Sequence, residues 1–424
     1  MAKFKIPKIA KPFAIDVTLP GSKSIALRQL AMSALTNHPT TLFGVPRCDD
    51  TDAMLDSLHR LGLKINRSRD RIDLQGPMTR TGDVTLDARM SGASTRLLIG
   101  LAALRSGATH IDGHASLQAR TNTPLVEVLQ THGCRVAVTP GQGLPLTIEG
   151  PMAVRSAIRI DGSLSSQYIT ALLVILPFFS ATTRIEIGGE LVSKPYIDIT
   201  LNEMAKRGIQ ASWLDEKTLQ VTSSEYLGGE FQIEGDATAA TYFAGLATLH
   251  QSSVHLRNIG SETHQGDYKF IEIMERLGAD VVRSEVSTQI TGPKQLAELG
   301  SIDMTEMPDA ALTLIAMLPM LPGIKTINGL SSLHHKECDR LQCPAQELRK
   351  MGVGVATTED NITIGPVIVG DIGAHELNTY HDHRMAMSFS LLGSYTDTLT
   401  VDDERVVDKT YPQYWDDYGQ AAAS

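Results

Sequence analysis

Six times along the chain a short turn rich in Gly, Ser or Asp leads straight into an apolar run with helical spacing. The runs open at Ser24, Ala93, Ser165, Ala237, Asp309 and Asp382, which sets the intervals at 69, 72, 72, 72 and 73 residues. A period this even marks an internal repeat. Between the runs lies a second kind of helix, apolar on one side only and closing on Gly62, Gly133, Gly208, Gly278 and Gly352. Glycine at that place ends a helix by taking a left-handed backbone. Short alternating or β-branched runs, such as Val84-Thr85-Leu86, Thr109-His110-Ile111, Arg184-Ile185-Glu186-Ile187 and Val254-His255-Leu256, predict strands. Each period therefore predicts strand, helix, strand, helix and two further strands.

With 424 residues the chain exceeds what one core holds, so six units divide into three and three, giving two similar α/β lobes. Because the small-residue turn opens the same helix in every unit, equivalent turns are expected at one side of each lobe. Two lobes facing one another would line a cleft with helix N-termini, where free N–H groups and the helix dipole favour a small anion.

Composition narrows the partners. Forty-two per cent apolar and 20% charged residues are those of a soluble globular protein, and no run approaches the length of a membrane span or signal sequence. A net charge of −10 argues against a nucleic-acid partner, which needs a basic face. Cys48, Cys134, Cys338 and Cys343 are too few and scattered for a disulfide framework, and the expected compartment is the reducing cytoplasm.

Candidate chemistry concentrates at the repeat turns. In Pro20-Gly21-Ser22-Lys23-Ser24, with Arg28 following, two cations and two hydroxyls surround a helix start; the purely structural alternative has Ser24 capping the helix and both cations solvated. Arg96 is expected to face solvent at its helix start, and Arg120 lies in a polar loop. Ser165-Ser166-Gln167 and Ser193 can hold phosphate oxygens through neutral donors. Asp309 opens a helix, His335-Lys336-Glu337-Cys338-Asp339-Arg340 packs five ionisable side chains into six positions, and His381-Asp382-His383-Arg384 runs directly into an apolar helix. The HxH pattern has no third ligand at metal spacing. Lys409 precedes Tyr411-Pro412.

These motifs, from Leu19 to Pro412, resemble the enolpyruvyl transferase family and, within it, the EPSP synthases: Pro20-Gly21-Ser22-Lys23-Ser24, Asp161-Gly162-Ser163 with Ser165-Ser166-Gln167, Ser193-Lys194-Pro195-Tyr196, Pro308-Asp309-Ala310, Lys336-Glu337 with Asp339-Arg340, and Asp382-His383-Arg384-Met385-Ala386-Met387. The resemblance implies an inverse α/β barrel-like fold of two lobes, each of three βαβαββ units, over 21–234 and over 1–20 plus 235–424, closing on substrate. It implies transfer of the enolpyruvyl group of phosphoenolpyruvate to the 5-hydroxyl of shikimate 3-phosphate by a cytoplasmic enzyme, expected to be a monomer, with no metal or organic cofactor. Shikimate 3-phosphate would be held by Ser24, Arg28, Ser165, Ser166, Gln167, Ser193, Tyr196, Asp309, Ser332 and Lys336. Phosphoenolpyruvate would be held by Lys23, Gly92, Arg120, Gln167, Arg340, Arg384 and Lys409. Asp309 would remove the proton from the hydroxyl while Glu337, helped by Lys23, protonates the methylene carbon.

The chain departs from the family pattern at Arg89-Met90-Ser91-Gly92-Ala93, where the usual sequence is Gly-Asn-(Ala/Ser)-Gly-Thr, and at Leu27, Thr121, Ser332 and His381. The alternatives are a paralogue using another hydroxyl acceptor, such as a nucleotide sugar, and a catalytically silent binding protein. The cell-wall paralogue usually carries a cysteine in the loop corresponding to Gly113–Pro124, which has none here, and a silent protein would have lost Asp309, Lys336 or Glu337.

Overall fold

The computed structural model describes residues 3–154, 157–179, 182–323, 325–365 and 373–424, with only the backbone at 335. The chain divides into two compact units, residues 21–233 and residues 1–20 with 234–424.

In the first unit three four-stranded sheets repeat one topology. Strands Val84–Asp87 and Ala108–Asp112 run parallel, joined through the helix Gly92–Ala102, and the hairpin Arg135–Val138 and Leu146–Glu149 adds antiparallel strands beyond. The sheet starting at Ile158–Asp161 repeats this order. In the remaining sheet the leading strand comes from the far end of the unit: Gly229–Gln232 lies parallel to Thr40–Phe43. The second unit closes in the same way, with Ala14–Val17 parallel to Ser253–Leu256.

The sixth repeat departs from the expected pattern. After His375–Leu377, the helix His383–Gly393 and Leu399–Val401 comes the helix Tyr414–Ala423, without the hairpin of the other repeats. The N-terminal strand Phe4–Lys5 instead pairs antiparallel with Leu399–Val401, so this sheet has three strands among the described residues.

Strand patterning decides which layer is central. Ile158 and Ile160 are buried while Arg159 and Asp161 are exposed, so each sheet offers only one face to a core. The helices opening each repeat are apolar all round and belong in the interior. Every residue of Ala237–Leu249, Ala311–Met317 and His383–Gly393 is buried. In the first unit the exceptions are Lys23 and Ser24, Ala93, and Gln167, each in the first turn of its helix. The central helices of the first unit thus reach water only at their N-terminal ends. The outer helices are amphipathic and end as expected, with Gly62, Gly133, Gly208, Gly278 and Gly352 at φ of 97°, 99°, 76°, 102° and 85°.

One packing detail makes the second unit acid-sensitive. His250 stacks on Tyr395 at 4.4 Å and its Nε2 lies 2.7 Å from Ser394 Oγ. Burial pulls its pKa from 6.5 to about 4. A depressed folded value means that the neutral ring stabilises the fold above pH 6.5 and that this contribution is lost as pH falls through about 4. Allowing for partial exposure, the loss is on the order of 2 kcal/mol. Unfolding followed from pH 7 to pH 4 should show a steeper decline in the wild type than in His250→Gln; equal slopes would remove this assignment.

Candidate active site

In the second unit one carboxylate gathers three cations. Lys336 Nζ donates to Asp309 Oδ1 at 3.0 Å, Arg340 Nη1 to the same oxygen at 3.2 Å, and Arg384 Nη2 to Oδ2 at 3.0 Å. Arg340, 2% exposed, also donates to Glu337 Oε2 at 2.7 Å and, through Nε, to Asp382 Oδ2 at 2.7 Å. Lys409 Nζ donates to the other Glu337 oxygen at 3.0 Å. Four cations therefore meet three carboxylates in one continuous network. Burial alone would raise the pKa of Asp309, but Lys336, Arg384 and Arg340 outweigh it and hold the carboxyl well below the ordinary range.

The local sequence explains how these groups converge. Asp382 caps its helix by accepting from Arg384 N at 2.9 Å while its carboxylate holds Arg340, so one residue fixes the backbone and the guanidinium together. Asp339 Oδ1 accepts from the N–H groups of Leu341 and Gln342 and starts the helix Gln342–Lys350 directly after Arg340. Tyr242 Oη lies 3.4 Å from Arg384 Nη1, and Tyr242 packs edge-on against Tyr414 at 5.6 Å, tying the C-terminal helix to the network.

The first unit presents two groups of residues at the exposed helix starts. Arg28 is buried with a pKa drawn down to about 10, chiefly by burial, and it remains cationic near neutrality. Its guanidinium donates to Thr200 Oγ1 at 2.8 Å, Ser24 O at 2.7 Å, Tyr196 O at 2.8 Å and Thr170 Oγ1 at 3.3 Å. Among the described residues no carboxylate pairs with it. A buried cation resting on neutral acceptors is incomplete without an anion. Around it, Ser165 Oγ caps the helix Ser166–Ile175 by accepting from Gln167 N at 3.3 Å, and the buried Gln167 Oε1 has no hydrogen-bond partner among the described residues. Ser193 has φ of 55°, a left-handed conformation disfavoured for a residue with a Cβ, and its side chain makes no capping bond.

The second group surrounds Gly92. A Cβ there would lie 2.7 Å from Arg120 Nη1 and 2.8 Å from Arg96 Nη1, so both guanidinium groups crowd the bare backbone. Arg96 Nη2 and Tyr168 Oη both donate to Thr121 O, at 3.3 and 2.7 Å. Among the described residues Arg120 forms no ion pair. Lys23 Nζ pairs with the buried Asp50 Oδ2 at 2.9 Å, and Asp50 O accepts from Ser94 Oγ at 3.2 Å, linking three helix starts.

Several expectations change. Arg96 is 3% exposed rather than solvated, because its guanidinium is spent on Gly92 O and Thr121 O. Ser24 does not cap the first helix: Ser22 occupies the N-cap position and makes no capping bond. Asp309 lies before a helix that starts at Ala311 and whose N-cap position is Ala310, and its carboxylate is engaged by cations. Ser332 sits on the turn Ser331–His335, and among the described residues it shows no hydrogen bond to the Asp309 network. No group of three or more potential metal ligands occurs among the described residues, His381 and His383 included.

The structure also adds residues that the sequence did not single out. Asp50 could have been suspected from the acidic first turn of Asp49–Arg60. Thr170 and Thr200 carried no signal, since each looks like an ordinary hydroxyl on the buried side of a helix. Asp267 is a third such case: it is buried, accepts from the Thr238 hydroxyl, and has one oxygen without a partner. Burial, with the charge of Asp309 adding to it, pushes its pKa up to about 7.

Comparison with known proteins decides the family. The profile for EPSP synthase (3-phosphoshikimate 1-carboxyvinyltransferase) matches residues 7–418. The chain belongs to the EPSP synthase family. Within the EPSP synthase family, a 3-phosphoshikimate 1-carboxyvinyltransferase of Ralstonia pickettii is 35% identical over 419 residues, covering 96% of each chain. The 3-phosphoshikimate 1-carboxyvinyltransferase 2 of Halalkalibacterium halodurans is 34% identical over 403 residues, 94% of this chain and 90% of its own length. An EPSP synthase structure from Acinetobacter baumannii aligns with a TM-score of 0.81 at 22% identity, covering 99% of this chain and 98% of that one, which bears on the fold. No helix among the described residues is long and apolar enough to cross a membrane.

Proposed function

We infer that the protein transfers the enolpyruvyl group of phosphoenolpyruvate to the 5-hydroxyl of shikimate 3-phosphate, releasing phosphate. The observation that carries this reading is the buried ion-pair network around Asp309, in a chain that belongs to the EPSP synthase family. Ser24, Arg28, Ser165, Ser166, Gln167, Ser193 and Tyr196 take the phosphate and ring of shikimate 3-phosphate, with Asp309, Ser332 and Lys336 at its hydroxyls. Lys23, Gly92, Arg120, Gln167, Arg340, Arg384 and Lys409 take phosphoenolpyruvate. The reading takes the enzyme to act as a monomer, and the four free cysteines fit a reducing cytoplasm.

The ion pairs determine the order of events. With three cations on it, Asp309 is ionised but weakly basic. Phosphoenolpyruvate and the phosphorylated acceptor together bring about four to five negative charges. As these anions draw Arg340, Arg384 and Lys336 toward them, Asp309 regains basicity and takes the proton of the 5-hydroxyl. The same exchange frees Glu337 from Arg340 and Lys409 to move a proton at the methylene carbon, with help from Lys23. The alkoxide adds to the enol carbon, giving a tetrahedral adduct whose charge the cations hold. Phosphate then leaves as the proton transfers reverse.

Incubating the purified protein with both substrates should release phosphate only when both are present. Release from phosphoenolpyruvate alone, or none with shikimate 3-phosphate, would contradict the assignment. Gly92→Ala places a methyl group against Arg96 and Arg120, so the KM for phosphoenolpyruvate should rise about tenfold while that for shikimate 3-phosphate changes little. An equal rise in both would remove Gly92 from the phosphoenolpyruvate set.

A further inference from the structure

The stretch Arg89-Met90-Ser91-Gly92-Ala93, where the chain leaves the family pattern, opens on a cation that the transfer reaction does not use. Arg89 Nη1 donates to Asp49 Oδ1 at 2.8 Å, and its Nη2 donates to Asp56 Oδ2. Those two carboxylates stand seven residues apart, two turns along one face of the helix Asp49–Arg60, so a single guanidinium spans that face. Asp50, the next residue round the helix, is buried. Its Oδ2 pairs with Lys23 Nζ at 2.9 Å, while its Oδ1 has no hydrogen-bond partner among the described residues. The Asp50 carbonyl accepts from Ser94 Oγ at 3.2 Å, and that hydroxyl lies 2.7 Å from Ser91 Oγ, the cap of the helix Gly92–Ala102. The first turn of one helix is thus held at two points by the segment that leads into the other.

We propose that Arg89 is a positioning residue for phosphoenolpyruvate binding: by gripping Asp49 and Asp56 it seats the helix whose Asp50 orients Lys23. This role rests on the transferase reading, in which Lys23 and Gly92 take phosphoenolpyruvate. Arg89 has φ of 49°, a left-handed conformation disfavoured for a residue with a Cβ. The backbone is kept there from both sides, its N–H donating to Asp87 Oδ1 at 2.8 Å and its carbonyl accepting from His114 N at 2.7 Å. Glycine would sit at this place without strain, so what the arginine adds is its side chain.

Charge gives the clamp a second effect. The helix opens with Asp49, Asp50 and Asp52, and Asp56 follows a turn further on. Acidic residues suit a helix start, but four carboxylates near an anion site would repel the ligand. Lys23 answers Asp50, Arg67 Nη1 pairs with Asp52 Oδ1 at 2.5 Å, and Arg89 answers the other two. Removing Arg89 leaves Asp49 and Asp56 without that cation and frees the helix from one fastening, so Asp50 no longer holds Lys23 in one place. Both effects weaken the hold on phosphoenolpyruvate, and neither acts on Ser165, Ser166 or Ser193, which the reading gives to shikimate 3-phosphate.

Arg89→Gly removes the side chain and relieves the left-handed backbone, and Arg89→Met removes the charge while keeping most of the stem. In both, the KM for phosphoenolpyruvate should rise about fivefold while that for shikimate 3-phosphate stays within about twofold. Arg89→Lys, which reaches one carboxylate but not both, should fall between them and the wild type. In a background of Asp49→Asn with Asp56→Asn, Arg89→Met should add nothing further, because the clamp is already gone. A second readout needs no turnover: the full-length protein is acylated with acetic anhydride without substrates, and labelling of Lys23, followed by peptide mass, should run about threefold or more faster in Arg89→Met than in the wild type. Faster labelling in a protein that transfers no enolpyruvyl group would leave the clamp standing and remove the reading it serves. The proposal is overturned if Lys23 is labelled at the wild-type rate, or if the two KM values move together or not at all. It is also overturned if Arg89→Met raises the KM for phosphoenolpyruvate as much in the double-aspartate background as in the wild type, which would make Arg89 a direct ligand.

Discussion

Asp309→Asn should lower kcat by about a thousandfold or more while shikimate 3-phosphate still binds within about threefold of its wild-type affinity. The substitution keeps the shape of the side chain but removes a role that an amide cannot perform, taking the 5-hydroxyl proton. Loss of a general base is worth about two to four orders of magnitude, and this site adds a further contribution, because Lys336, Arg340 and Arg384 lose the carboxylate they share. The remaining cations are still anchored, Arg340 by Glu337 and Asp382, so the binding set does not collapse. Steady-state kinetics with calorimetry of shikimate 3-phosphate binding checks both halves. Wild-type turnover in the variant would remove the base assignment, and equal loss of binding and turnover would reduce Asp309 to a ligand for substrate.

Asp382→Asn should instead show its largest effect on stability. Asp382 is fully buried and shares its carboxylate between Arg340 Nε, Arg340 Nη2 and the Cys338 thiol. Asparagine caps helices about as well as aspartate, so the cap to Arg384 N survives and the loss isolates the ion pair. Breaking one side of a buried pair costs about 3–5 kcal/mol because the surviving charge stays buried. For a unit of this size that lowers the midpoint of thermal unfolding by roughly 6–12 °C. Differential scanning calorimetry should place the shift in the transition of the unit that contains Asp382, and a shift under about 2 °C would mean that Glu337 and Asp309 suffice to hold Arg340.

Much of this architecture was legible in the spacing alone. A period near 72 residues and glycines closing alternate helices predict the repeated sheet-and-helix unit, because burial all round and left-handed termini each leave a local mark. The sixth repeat was not legible, since nothing in Phe4–Lys5 announces that it pairs with Leu399–Val401. The charged residues of the network were readable as types, through the density of His335–Arg340 and His381–Arg384. Their partners were not: Asp50 lies 27 residues from Lys23, and Thr170 and Thr200 reach Arg28 from other repeats. Arg96 was misread because an arginine in a helix's first turn is usually solvated, whereas here the carbonyls of Gly92 and Thr121 replace water.

The most direct measurement is the reaction run in deuterium oxide, with the product isolated and analysed by mass and proton resonance. Addition converts the methylene carbon of phosphoenolpyruvate into a methyl group bearing one solvent-derived hydrogen, and elimination removes one of the three. The account predicts an enolpyruvyl ether on the 5-hydroxyl of shikimate 3-phosphate carrying deuterium at its vinyl carbon, with that label absent from Asp309→Asn. The same product formed without deuterium would contradict addition and elimination as the route, and no such product at all would contradict the transfer itself.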